Sequence, residues 1–218
     1  MGRPSQHLDR QLLASGRALF AQTGCAGLSV RQLAAHAGVS PGMFHYHFDS
    51  KEQFLRTLLQ ELYDEMFAGL QHDAVLEGPA IERLHAALNG LASFVREHRG
   101  VIARVWHDAA SGEEVAREFL RRNAPRHLRL LMSLLDRASA EGSLSAQPPL
   151  QALALLMGAV IAPLLIVPGF VSLGITAGFG ARAVDEQVLS DPAIDLRIRH
   201  ALLALGAERS SIRERVAS

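Results

Sequence analysis

Residues 29–53 read SVRQLAAHAGVSPGMFHYHFDSKEQ, and this stretch decides the architecture. Ser29 and Gln32 stand three apart, the spacing at which each side chain satisfies the other's free backbone N–H at a helix start. The helix opened there carries Val30, Leu33, Ala34 and Ala37 on one side. It ends at Gly38, where glycine tolerates the positive φ of a sharp turn. Almost at once Ser40-Pro41 supplies a cap followed by a proline in the favoured first position of a new helix. Ser50-Lys51-Glu52-Gln53 repeats the capping pattern and opens a third helix. Helix, glycine turn and short second helix have the dimensions of a helix-turn-helix. Leu33, Val39 and Phe44 are placed to lock its inner side, while Ser40, Pro41, Gly42, His45 and Tyr46 are left for the outer one. A fixed back with a hydrogen-bonding front is what reading a major groove requires.

Working outward, residues 8–23 repeat apolar positions at helical spacing (Leu12, Leu13, Leu19 and Phe20, with Ala14 and Ala18), and Gly24 is placed to stop that helix. On the other side, residues 51–70 carry Phe54, Leu58, Leu62, Met66 and Leu70, with Leu55, Leu59, Tyr63 and Phe67 alongside. So wide a stripe serves two neighbours, which predicts a helix linking both halves of the molecule. Beyond Gly78-Pro79 the pattern predicts helices near 80–98, 101–110, 113–140, 150–167 and 192–205. The breaks between them fall at Gly100, Ser111-Gly112, Gly142 with Pro148-Pro149, and a glycine-rich run after Pro168. A long loop over 168–191 is expected to serve the pocket or interface. No alternating apolar pattern points to a sheet. The expected fold is all-α: a three-helix DNA-binding domain over 1–50, then a helical bundle over 51–218 for effector binding and dimerisation.

The chain of 218 residues has no net charge, is 49% hydrophobic and 20% charged, and reads as a soluble globular protein. Nucleic-acid binding therefore needs locally concentrated charge. Up to residue 56, Arg3, Arg10, Arg17, Arg31, Lys51 and Arg56 outnumber Asp9, Asp49 and Glu52. One cysteine, Cys25, excludes an internal disulfide and fits a reducing cytoplasm, where it is expected to pack as a small apolar residue. The opening MGRPSQHLDR lacks the apolar core of a signal peptide. His45 and His47 form an H-x-H, but side chains two apart on a helix diverge by roughly 160°, which is poor metal geometry. No nucleophile elbow, phosphate loop or zinc-ligand spacing is present, and His107-Asp108 is an adjacent pair whose side chains diverge. Neither an enzyme nor a cofactor or metal is expected.

The stretch LASGRALFAQTGCAGLSVRQLAAHAGVSPGMFHYHFDSKEQFL resembles the DNA-binding domain of the TetR/AcrR family of bacterial regulators. Val39-Ser40, Gly42, Tyr46, His47-Phe48 and Ser50-Lys51-Glu52 carry the likeness. Phe44 stands where the family usually has leucine, and His45 where it usually has tyrosine. The resemblance implies that Ser29, Tyr46, His47 and Lys51 contact phosphates. It implies that Arg31, Pro41, Gly42, Met43 and His45 approach base edges or the adjoining backbone, with Ser40 in the same surface. Phe20, Leu33 and Phe48 would be core. It further implies a two-fold dimer, a palindromic double-stranded operator and a small-molecule effector that releases a repressor. Lys51 has a separate argument: it stands at a helix start, where the dipole disfavours a cation, and a bound phosphate would explain it. It is also the chain's single lysine.

In the C-terminal half no charge occurs between Glu141 and Arg182, and Leu153, Leu156, Met157, Val160 and Leu164 make the 150–167 helix apolar nearly all round. Such a helix is buried in protein or in lipid. Its length would span a bilayer, but Pro163, Pro168 and the lack of charged flanks argue against that. It is read as a dimer helix, paired with 192–205, with no membrane involved. For the effector pocket the candidates are Phe94, Trp106, His107, Phe119, Met132 and Met157, with Arg104 for polar contact and Asp108 to select a cation. The mix favours a mostly apolar effector.

Overall fold

A computed structural model describes residues 3–175 and 178–207, the side chains of residues 3–7 excepted. Among the described residues all regular structure is helical, as the periodicity predicts. The chain divides into two compact units, Met1–Glu65 with Gly100–Ala124, and Met66–Arg99 with Pro125–Ser218. The unit that contains the helix-turn-helix is thus larger than residues 1–50. It takes in the first part of α4 (Lys51–Ala74), nearly all of α6 (Arg99–Ala110) and the start of α7 (Glu114–Ala140).

In the first unit α1 (Arg3–Gly27) does not end at Gly24 but breaks there, at φ 65° and ψ −166°, and makes one further turn. The Ser29–Gln32 capping box is present and opens α2 (Val30–Ala37), and Gly38 closes it in the left-handed conformation at φ 68°. Helix α3 (Pro41–His47) begins on Pro41, but the Ser40 side chain makes no cap bond and stays exposed. At α4 the second box is offset: Ser50 Oγ accepts from the Gln53 N–H, while Gln53 Oε1 accepts from Asp49 rather than from Ser50. Leu12, Phe20, Leu33, Phe44 and Phe54 have no exposed surface. Phe44, Phe48 and Phe54 stack with ring centroids 4.9 to 5.5 Å apart, directly beneath α3. Each such ring pair adds about 1 kcal/mol beyond the burial of its area.

In the second unit α5 (Ala80–Glu97) packs on α9 (Ala162–Ser172) and α11 (Asp191–Ala204). Helix α8 (Pro149–Leu156), a π turn over Met157–Ile161 and α9 form one continuous helix, Pro149–Ser172. Pro163 therefore does not interrupt the helix, contrary to the expectation from sequence. The Ala162 N–H reaches back five residues to the Met157 carbonyl, and this wider turn makes room for a ring that has no N–H. Pro168 also lies inside the helix. The expected long loop over 168–191 is accordingly much shorter. The helix continues to Ser172, and α10 (Ala181–Val184) with a second π turn, Asp185–Leu189, occupies its later part. Thr176 and Ala177 lie outside the described residues. Leu84, Leu88, Leu156, Val160, Leu164, Ile198 and Leu202 have no exposed surface and form this unit's core. His85 Nε2 meets Asp195 at 2.9 Å, and Arg96 donates to the Leu189 carbonyl at 2.8 Å, pinning α5 to α11 and to the turn before it.

Candidate nucleic-acid interface

The short α3 is held from behind by one fully buried side chain, Phe44, and by Phe48 at its end. Seven residues cannot form a stable helix alone, so its position is a property of this packing. With its back fixed, α3 turns Pro41, Gly42, His45 and Tyr46 outward with Ser40 before them, and Met43 is half-buried. Tyr46 is 77% exposed, far beyond what an aromatic ring with a core role shows. Arg31 on α2 is exposed beside this surface, and Ser29 is half-buried because its hydroxyl serves the cap. Gln11 of α1 donates to the Ala37 carbonyl at 2.6 Å, fixing the end of α2 just before the turn.

Two of the sequence-predicted contacts stand differently. The His47 side chain is only 5% exposed and turns inward, its Nδ1 against the Asp9 carboxylate of α1. Lys51 is half-buried, and its Nζ donates to the Cys25 carbonyl at 3.0 Å and to that of Ala26 at 3.5 Å. The ammonium disfavoured at the start of α4 is thus compensated by carbonyls at the negative end of α1. Sequence spacing could not show this, because the partner lies 26 residues away. Burial, reinforced by Asp108, pushes the Cys25 thiol up to about 12. The thiol is protonated at neutral pH, so Cys25 packs as an apolar residue rather than acting as a redox sensor.

The effector candidates fall in both units. Trp106, His107 and Phe119 belong to the first unit, and Phe94, Met132 and Met157 to the second. Trp106 is 57% exposed and His107 is exposed. Phe119 lines a cleft of about 330 Å³ with Arg56, Gln60, Glu118 and Asn123. Met132 lines a separate open groove with Arg129, Asp136 and Arg137. Both are open, and both include charged side chains in their lining. Asp108 is 2% exposed and engaged by Arg104 at 2.8 Å, so neither residue is free to hold a ligand as the sequence suggested. Among the described residues no group of three or more His, Cys, Asp or Glu is placed to hold a metal ion.

Residues 12–58, which span α1 to the first turns of α4, match the profile of the bacterial regulatory proteins, tetR family. The N-terminal part of this chain is similar to that of TetR-family regulators. The chain is 28% identical over 145 residues to the HTH-type transcriptional repressor KstR2 of Mycolicibacterium smegmatis, an alignment covering 64% of this chain and 70% of that one. It is 30% identical over 104 residues to the repressor of the same name from Rhodococcus jostii, covering 43% of this chain and 51% of the relative. A TetR-family transcriptional regulator of Agrobacterium tumefaciens superposes with a TM-score of 0.70 at 17% identity, covering 92% of this chain and 98% of that one. The matched segment thus coincides with the surface built on α2 and α3, and the relatives that align with it are transcriptional repressors.

Proposed function

We propose that this chain is a cytoplasmic, dimeric transcriptional repressor that binds a palindromic double-stranded operator and leaves it when a mostly apolar small molecule binds. The observation that carries the reading is α3: a helix locked from behind by Phe44, with Ser40, Pro41, Gly42, His45 and Tyr46 presented outward. Met43, Arg31 and Ser29 complete the proposed contact surface. His47 and Lys51 act in it by holding α3 and the α1 end in place, since their polar ends are engaged within the protein. Phosphate contacts give affinity, and base-edge contacts from α3 give selectivity.

The dimer is proposed to form through α8–α9 and α11. The sequence reading assigned the whole apolar helix to the interface, but Val160, Leu156 and Leu164 are buried within their own unit. The face left for a partner consists of Leu150, Leu155, Ile166 and Phe170 with Leu196 of α11, all exposed. Pro149–Ser172 is long and apolar enough to cross a membrane by length and composition, and 28% of its most apolar window is buried. We read its exposed side as the surface met by a second copy. The buried side, packed on α5 and α11, belongs to a protein core. Two such faces related by two-fold symmetry would complete a four-helix interface. A proposed effector would act by favouring a dimer whose reading helices no longer match two grooves about 34–36 Å apart. Coupling of about 1–3 kcal/mol is typical of such linked sites.

The test is selection of duplexes from random DNA by the purified protein, followed by release assays with a panel of apolar metabolites. Enrichment of an inverted repeat, lost on adding one class of compound, is expected. Failure to enrich any sequence at low salt would refute operator binding, and recovery of the protein only in a carbonate-resistant membrane pellet would refute the dimer reading of α8–α9.

A further inference from the structure

We infer that Asp108, acting with Arg104, is a positioning residue for DNA reading: it fixes the link between α1 and α2 from which the helix-turn-helix starts. The inference rests on the DNA-binding reading and concerns residues outside both the motif and its surface. Gly24 breaks α1 at positive φ, and one turn, closed by the Leu28 N–H to the Gly24 carbonyl at 3.2 Å, separates it from the Ser29 cap. A break of this kind takes backbone groups out of the helical ladder, and buried groups need partners.

Those partners are side chains from two other helices of the same unit. Asp108 Oδ2 accepts the Cys25 N–H at 2.7 Å, and its Oδ1 accepts Arg104 Nε at 2.8 Å. Arg104 Nη2 donates onward to the Thr23 carbonyl at 3.1 Å. Lys51 of α4 holds the carbonyls of Cys25 and Ala26. Backbone groups of Thr23, Cys25 and Ala26 are thus held by three charged side chains from outside their own helix. A carboxylate suits the place because it accepts from an amide and a guanidinium at once, in short charge-assisted bonds. The Arg104 guanidinium also lies where a Cβ on residue 24 would stand, so a side chain there would displace it as well as strain the positive φ.

This grip acts on reading because the link leads straight into α2. Helix α2 carries α3 through the Gly38 turn and the packing of Leu33 and Phe44. A displacement at residues 25–28 is therefore handed to α3 without any change in the helices themselves. Asp108 is 2% exposed and bonded to Cys25 and Arg104, so its effect on DNA is through position.

The chain's single tryptophan, Trp106, is two residues from Asp108 on α6 and exposed, so it reports on α6 without a label. The experiment uses full-length wild type, Asp108→Ala and Asp108→Asn, a duplex selected by wild type from random DNA, and a scrambled duplex. Asp108→Ala is expected to lose about tenfold in affinity for the selected duplex. It should keep its far-ultraviolet circular dichroism and bind the scrambled duplex within about twofold of wild type. Asp108→Asn, which retains an acceptor for the Cys25 N–H, should recover part of the loss. Trp106 emission should respond to the selected duplex in wild type and not in Asp108→Ala. Equal affinity of both proteins for the selected duplex overturns the inference. Parallel loss on both duplexes with reduced helicity also overturns it, because that makes Asp108 a residue of the fold alone. If Asp108→Ala does not fold, Asp108→Asn decides: reduced selectivity at native helicity supports the inference, and wild-type selectivity with a wild-type Trp106 response overturns it. Failure of wild type itself to select a duplex refutes the DNA reading and the inference with it, and is distinguishable because no variant is involved.

Discussion

His127, half-buried on α7 in the second unit, should make the protein acid-sensitive through one identifiable proton. Burial lowers its pKa from the ordinary 6.5 to about 4. The folded protein therefore keeps the imidazole neutral at pH values where the unfolded chain already binds a proton. Above the unfolded value the two states bind equally and the residue adds no pH dependence. As pH falls below 6.5, the unfolded chain gains protons that the folded one refuses, and stability is lost until the folded pKa is passed. A separation of that size corresponds to about 2 kcal/mol by pH 5 and at most about 3 kcal/mol below pH 4. The perturbation is His127→Gln, which retains a polar side chain but cannot titrate. Urea unfolding of both proteins between pH 7.5 and 4.5 isolates the residue, because every other titrating group is common to the two. The stability difference should move in favour of His127→Gln by about 2 kcal/mol between pH 7 and pH 5, with unchanged denaturant slopes. A difference that stays constant across this range would refute the reasoning, since it would mean that His127 takes up its proton equally well in both states.

Tyr46→Ala should leave thermal unfolding within about 0.5 kcal/mol of wild type, because the ring is 77% exposed. It should nevertheless change the preference among operator variants, and an equal loss on all variants would limit Tyr46 to backbone contact. Lys51→Met should lower stability by about 1–2 kcal/mol through the two carbonyls it releases, leaving the salt dependence of DNA binding unaltered. A salt slope shallower by about one unit would return Lys51 to the phosphate contacts. Leu196→Glu, at an exposed position of α11, should yield a folded monomer by light scattering, because a carboxylate would be buried unpaired in each half of the dimer. A persisting dimer would remove that face from the interface.

What the sequence by itself determined is local. The Ser29–Gln32 box, the left-handed Gly38, Pro41 at the start of α3 and the inward Phe44 were all legible, because each is decided by residues within four positions of one another. The family pattern is legible for the same reason, being a string of such signals in fixed register. What the sequence could not show falls where a side chain finds its partner far along the chain. Helical spacing gives Lys51 a direction but not the Cys25 carbonyl it reaches, and it left Asp108 as a free carboxylate when the Cys25 N–H, 83 residues away, claims it. Pro163 and Pro168 looked like breaks because propensity assumes a regular ladder, whereas packing on α5 and α11 sustains the helix and a π turn accommodates the first ring. Apolar composition likewise could not tell which side of α8–α9 is buried. Val160 and Leu150 are both aliphatic, and only the packing of the second unit makes one its core and leaves the other 73% exposed. Periodicity fixes which residues share a helix, but burial depends on what the fold brings against each face, and that is a long-range property.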